Sequence, residues 1–257
     1  MKLSIPLSVQ AGLWGLVSGS ALLIGATFGW FVPMPRKVVA AIMAFGSGVL
    51  ISALSFELMD DAWGRGGFVA VGIGFIAGAS VYTALNMALA AYGARHRKRS
   101  DALTREEHAS VAPQGNSASL ALGALIDGVP ESIVIGTSLL AGGAIGWVAV
   151  AAVFLSNLPE GLSSAAGARK EGKTATYTFG LWTMIALVAG FSSFAGYTLF
   201  AGASSQVLAG VQGVAAGAIL AMVIDTMAPE AFEGTHDFAG LIAVFGFLTA
   251  FGLSKLA

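Results

Sequence analysis

Long apolar runs separated by short polar segments fill this chain. Each run is long enough to cross a hydrocarbon layer of about 30 Å as a helix. The apolar residues follow one another continuously rather than at alternate positions, which favours a helical bundle over an outer-membrane barrel. The pattern predicts an all-α polytopic membrane protein with eight transmembrane helices, at about residues 9–31, 38–58, 67–91, 117–140, 145–166, 176–200, 207–228 and 237–253.

Composition supports the membrane prediction and limits the classes of function. The 257 residues are 56% hydrophobic and 11% charged, whereas soluble domains carry about 25% charged residues. We therefore expect residues 1–257 to form a single transmembrane domain with little mass outside the bilayer. The chain has no cysteine, so it has no thiolate metal ligand. It also lacks a P-loop pattern, so we expect no transport driven by its own ATP hydrolysis.

The basic residues predict the orientation. Ten of the thirteen lie in the odd-numbered connections, including a polar loop at about residues 93–116. The positive-inside rule makes these connections cytoplasmic and leaves both termini outside, in an inner or plasma membrane. We also predict a negative outside face that attracts cations, with Glu230 solvated. Its residues are Glu57, Asp60, Asp61, Glu230, Glu233 and Asp237.

Two copies of one short pattern lie inside the fourth and fifth apolar runs. Residues 127–132 read D-G-V-P-E-S, and residues 156–161 read S-N-L-P-E-G. A carboxylate at the centre of a membrane helix costs about 2.5 to 3.5 kcal/mol on insertion scales, so it usually faces a partner or a pathway. The three carboxylates of these motifs, Asp127, Glu131 and Glu160, therefore need a common explanation.

Spacing places the polar groups of each motif on one side of its helix. Asp127 and Glu131 are four residues apart, as are Ser156 and Glu160, so each pair is separated by one helical turn. The prolines at 130 and 159 remove a backbone donor and favour a bend that frees carbonyl oxygens. A turn near the glycines at 142, 143 and 146 would bring the two motifs to one depth.

These motifs, in this order, resemble those of the ZIP (Zrt/Irt-like) family of divalent metal transporters. Residues 156–161 match the family's fifth-helix motif after its first position, residues 44–50 resemble its second helix, and residues 225–230 resemble its seventh-helix ending. The resemblance extends over nearly the whole chain. It implies inverted three-helix repeats around helices 4 and 5, with metal held between those two helices. It also implies an elevator-like movement of helices 1, 4, 5 and 6 against helices 2, 3, 7 and 8.

The chain departs from the family pattern at several ligand positions. Asp127 stands where the family has His, Ser156 replaces the usual His or Gln, and residues 190–196 offer only hydroxyls where the sixth helix often carries Glu. We therefore expect one metal position at most. Its predicted ligands are Asp127, Glu131 and Glu160, assisted by Ser156 and Asn157.

An all-oxygen site changes the expected metal. Zinc gains much of its selectivity from His and Cys, while Mn and Mg suit carboxylate and carbonyl ligands. The predicted substrate is a divalent cation, either zinc or a broader and harder set such as Mn, Fe and Cd, moved into the cytoplasm. We expect a transporter and not an enzyme. Without a cation, three close carboxylates would not all ionise, so metal binding should release protons. The predicted partners are the metal, the lipid bilayer and no nucleic acid, and small-residue helix faces are compatible with a homodimer.

Other interpretations remain open. The carboxylates could form a buried protonated network that only ties helices together. A ZIP-like protein that binds metal without moving it is a further alternative, because the imidazole at position 127 is missing. An intramembrane aspartyl protease using Asp127 and Asp225 is the least favoured alternative, since it leaves the Pro-Glu pairs unexplained. His96 and His108 in the polar loop are too scattered for a His-rich metal sensor.

Overall fold

The structure, a computed structural model, describes residues 5–89, 117–141 and 146–256. All regular secondary structure within these ranges is helical, so the prediction of an all-α protein is confirmed. Nine α-helices are described: α1 (Leu7–Phe31), α2 (Arg36–Ala53), α3 (Asp60–Leu89), α4 (Ser117–Ser138), α5 (Trp147–Lys170), α6 (Ala175–Phe200), α7 (Ser205–Met222), α8 (Ala228–Thr235) and α9 (Ala239–Leu256).

Short π- and 3-10 segments join several of these helices. A π-helix (Leu54–Met59) links α2 to α3, and another (Val223–Met227) links α7 to α8. The 3-10 turn Leu139–Ala141 ends α4, and the turn His236–Phe238 precedes α9. The predicted polar loop at 93–116, with His96 and His108, and the predicted turn at 142–145 lie outside the described residues.

Five helical stretches among the described residues are long and apolar enough to cross a membrane. Hydrophobic side chains are also exposed on the outer surfaces of several helices, as expected where lipid is the solvent. The chain is therefore an integral membrane protein. The five stretches are Leu7–Phe31, Arg36–Leu89, Trp147–Lys170, Ala175–Phe200 and Ser205–Leu256.

The longest stretch, Arg36–Leu89, changes direction at Gly67. The backbone of Gly67 has φ 73° and ψ 172°, a non-helical conformation that glycine adopts without a Cβ penalty. Before it, α2 runs antiparallel to α7 and α8. Two contacts show this direction: Arg36 pairs with Glu233 at one end, and Gln212 donates a hydrogen bond to Asp61 at the other. After it, α3 runs parallel to α7 and packs closely against it.

The last stretch reverses in the same way at His236, which has a positive φ of 45° although it is not a glycine. Beyond it, α9 runs parallel to α2, with Phe247 and Phe251 against the ring of Phe56. Each of the two longest stretches is therefore a pair of antiparallel helices.

The ion pair between Arg36 and Glu233, 3.3 Å long, corrects the predicted distribution of acidic residues. Glu233 lies at the same end of the bundle as Arg36, opposite the end that contains Asp61. The prediction that Glu230, Glu233 and Asp237 share a face with Glu57, Asp60 and Asp61 is therefore wrong. The error arose because the seventh connection of a helical bundle returns to the side of the first.

The helices form two groups by their contacts. In one, α1 packs extensively on α5 and α6, and α4 packs mainly on α6. In the other, α3 packs on α7, and α2 packs on α9 and α8. Smaller contacts join the groups, chiefly α2 with α5 and α4 with α7. The two motif-bearing helices, α4 and α5, lie where the groups meet.

Candidate metal site

The first motif lies within α4, which continues through Pro130. Asp127 and Glu131 are 2% and 1% exposed, so the predicted burial of both carboxylates is observed. The hydroxyl of Tyr82, a buried residue of α3, donates to Oδ1 of Asp127 at 2.8 Å. This hydrogen bond links α4 to the other group of helices.

The second motif lies within α5, which continues through Pro159. Ser156, Asn157 and Glu160 are all buried. The side-chain amide of Asn157 donates to the carbonyl of Ser18 in α1 at 3.1 Å, and the hydroxyl of Ser156 donates to the carbonyl of Val153 at 2.9 Å. Asn157 therefore fastens α5 to α1.

Packing accounts for the proline and glycine of the second motif. An added Cβ at Gly161 would lie 2.1 Å from the carbonyl oxygen of Leu22, so only glycine permits this approach of α5 to α1. On another side, a Cβ at Gly46 of α2 would lie 3.2 Å from Cγ of Pro159. These contacts hold α5 between α1 and α2.

The structure does not gather the predicted ligands into one three-carboxylate group. Within the described ranges, no set of three or more His, Cys, Asp or Glu side chains is close enough to hold a metal ion. The contact between α4 and α5 is small compared with the contact of α4 with α6 and the contact of α5 with α1. Asp127, Glu131 and Glu160 are each buried, on the two helices that lie where the groups meet.

An apolar pocket lies beside the motifs, toward the ends of α4 and α5 that meet near Gly146. It is lined by side chains of α2, the first π-helix, α4, α5 and α7. Val134 follows Glu131 by one turn, and Val153 precedes Ser156 by one turn, so the lining begins one helical turn from each motif. The lining residues are Leu50, Ala53, Leu54, Leu58, Val134, Ala149, Ala152, Val153 and Ile219.

Sequence reasoning missed two polar contacts. Tyr82 is a single phenol in a long apolar run, and nothing local indicates that it meets a carboxylate 45 residues later. Glu230, predicted to be solvated, is instead 8% exposed and accepts a hydrogen bond from the hydroxyl of Ser163. Its burial was not predicted because Glu230 lies in a polar segment that was expected to be at the membrane–water interface.

Asp225, the second aspartate of the protease alternative, is exposed on the π-helix after α7, whereas Asp127 is buried. This difference does not favour two carboxylates that share one proton. Comparison of the sequence with models of known protein families found no match, and comparison with curated proteins found none either.

Proposed function

We propose that this protein moves a divalent metal cation across a cytoplasmic-type membrane, inward, along a route between α4 and α5. The observation that carries the proposal is the burial of Asp127, Glu131 and Glu160 inside apolar helices. Buried carboxylates in a bilayer are costly, and they commonly mark ion pathways. Buried carboxylates are not needed merely to join the helices, because small residues already bring these helices into close contact.

An inverted repeat with eight spans forms part of the proposal. At about 1.5 Å per residue, a helix of 54 residues would be about 80 Å long, far more than one bilayer crossing requires. The reversals at Gly67 and His236 divide the two longest stretches into two spans each. Leu54 and Val223 begin the two π-helices, and the pairs Leu54/Val223 and Gly67/His236 are both 169 residues apart. The helices in which they lie run antiparallel, as in an inverted repeat.

The grouping of helices supports a ZIP-like mechanism in particular. The group α1, α4, α5 and α6 contains both motifs, and the group α2, α3, α7, α8 and α9 contains none. We propose that the first group moves against the second, which is the division that the family resemblance implies. The hydrogen bond from Tyr82 to Asp127 crosses between the groups, so this movement would have to break it.

Cation binding in this proposal uses Glu131 and Glu160 together. Two ionised carboxylates repel each other, and a divalent cation between them would reverse that repulsion. Ser156 and Asn157 are expected to assist, with water completing the coordination. Oxygen ligands of this kind favour Mn and other hard ions over strict zinc selectivity.

The test is metal uptake into proteoliposomes, measured for Zn, Mn, Cd, Fe and Mg. The wild type should take up at least one ion saturably, and Glu160→Ala should lose at least nine-tenths of that uptake. Glu171→Ala is the matched control, because Glu171 lies exposed directly after α5 and its loss changes the net charge equally. We expect this control to transport as well as the wild type.

The same experiment distinguishes the alternatives. If folded wild-type protein binds metal but takes up no ion, the non-transporting interpretation is correct. Uptake that persists in Glu160→Ala would remove Glu160 from the pathway and return it to a structural role.

A further inference from the structure

One face of α5 changes from apolar to polar at the second motif. Val153 and Ala149 line the apolar pocket on the side toward Trp147. Ser156, Glu160 and Ser163 continue along nearly the same face toward Lys170, and all three are buried. This buried polar stripe leads from the proposed metal site toward the end of the bundle that contains Arg36.

Glu230 meets this stripe from α8. The hydroxyl of Ser163 donates to Oε1 of Glu230, and both residues are buried. The contact joins the motif-bearing group of helices to the other group. Glu230 is not one of the predicted ligands, so the proposed site does not explain why a carboxylate is kept in this buried place.

We propose that Ser163 and Glu230 form a second, inner cation position through which a divalent metal leaves Glu160. This inference rests on the transport proposal and extends it toward the cytoplasm. Ser163 follows Glu160 by three residues, about 4.5 Å along the helix axis. A cation moving inward from Glu160 therefore reaches the oxygens of Ser163 and Glu230 next.

The chemistry of this position suits release. One carboxylate and one hydroxyl supply few protein ligands, so a hard divalent ion there keeps most of its water. Conduction requires sites that bind strongly enough to accept an ion and weakly enough to let it go. In the structure the carboxylate is instead held by Ser163, so the ion has to replace that hydrogen bond as it passes.

The experiment compares Glu230→Gln with the wild type in Mn²⁺ uptake and in Mn²⁺ binding to the purified full-length protein. Glutamine keeps the size and the oxygen acceptor for Ser163 but removes the charge. We expect the maximal uptake rate to fall at least tenfold with KM changed less than twofold. The number of bound Mn²⁺ ions, counted by paramagnetic resonance, should fall from two to one.

Glu233→Gln is the matched control. Glu233 lies one turn further along α8, is partly exposed and pairs with Arg36, so it lies outside the buried stripe. Its uptake rate and its Mn²⁺ count should stay within twofold of the wild type. Ser163→Ala provides a second variant of the inner position and should lower the uptake rate several-fold. This variant still tests the proposal if Glu230→Gln does not fold.

The outcomes separate the two proposals. If the wild type takes up metal and Glu160→Ala does not, while Glu230→Gln and Ser163→Ala retain the wild-type rate and ion count, the inner position is wrong and transport stands. If the wild type takes up no ion, the transport proposal is wrong and the proposed exit role is wrong with it. A merely structural contact would leave Glu230→Gln unchanged in both measurements, because its hydrogen bond is preserved.

Discussion

Asp127 is a buried carboxylate of α4 that accepts a hydrogen bond from the phenol of Tyr82, a residue of α3. An ionised carboxylate only accepts hydrogen bonds, so its burial is costly unless a donor lies nearby. A phenol hydroxyl at 2.8 Å supplies that donor. Tyr82 is thus a positioning residue for the first motif.

The first prediction concerns this hydrogen bond. Tyr82→Phe leaves a buried carboxylate oxygen without its phenol donor, so the free energy of unfolding in detergent should fall by about 1 kcal/mol. Tyr177→Phe is the control, because the buried Tyr177 hydroxyl makes no hydrogen bond within the described part of the chain. Thermal unfolding of both variants measures the difference, and equal stabilities would remove the structural role of the Tyr82 hydroxyl.

The sequence was informative about single residues where the surrounding apolar run decided the outcome. The position of Asp127, Glu131 and Glu160 inside apolar runs predicted that they would face a partner or a pathway and not lipid, and all three are buried. It could not predict the partners Tyr82 and Ser18, because those contacts depend on how distant helices pack. It also could not predict that α4 and α5 make only a small contact, because this depends on how the whole bundle packs.

At the level of helices, glycine determines how closely α1 and α5 approach each other. Added Cβ atoms at Gly25 and Gly161 would each lie 2.1 Å from a carbonyl oxygen of the facing helix. In the first motif, by contrast, a Cβ at Gly128 would meet nothing within 4 Å. Glycine in one motif is therefore required for packing, and in the other it is not.

The second prediction follows from this contrast. Gly161→Ala forces α5 away from α1 and should lower the free energy of unfolding by about 2 kcal/mol or more. Gly128→Ala should leave it unchanged or raise it by up to about 1 kcal/mol, because alanine is the better helix former. Chemical unfolding in detergent checks both variants, and similar losses for the two would contradict the packing argument.

The boundaries of the helices were harder to predict than their presence. Helix α5 continues to Lys170, past the predicted end at 166, where Arg169 and Lys170 complement the negative end of the helix dipole. The second and third helices were predicted at 38–58 and 67–91, with a connection between them, and instead helical structure continues past residue 58 up to the reversal at Gly67. The reversal at His236 carries no sequence signal, because histidine rarely has positive φ.

On the scale of the whole molecule, the Arg36–Glu233 ion pair fixes which connections share an end of the bundle. The third prediction uses the absence of cysteine, which allows single cysteines to be introduced without a background. With the predicted orientation, an impermeant maleimide added outside intact cells should label Arg65→Cys but not Lys37→Cys or Asp237→Cys. Labelling of both Asp237→Cys and Arg65→Cys would place the two residues on the same side of the membrane, as the sequence predicted, and would contradict the fold.

The apolar pocket beside the motifs has a consequence for water and protons. A space lined only by aliphatic side chains does not hold a continuous file of hydrogen-bonded water, since such constrictions tend to dry. Protons travel along water files, so this conformation should insulate one compartment from the other even though three carboxylates lie nearby. Under the proposed transport function, the protein can therefore stay in an energised membrane without draining its proton gradient.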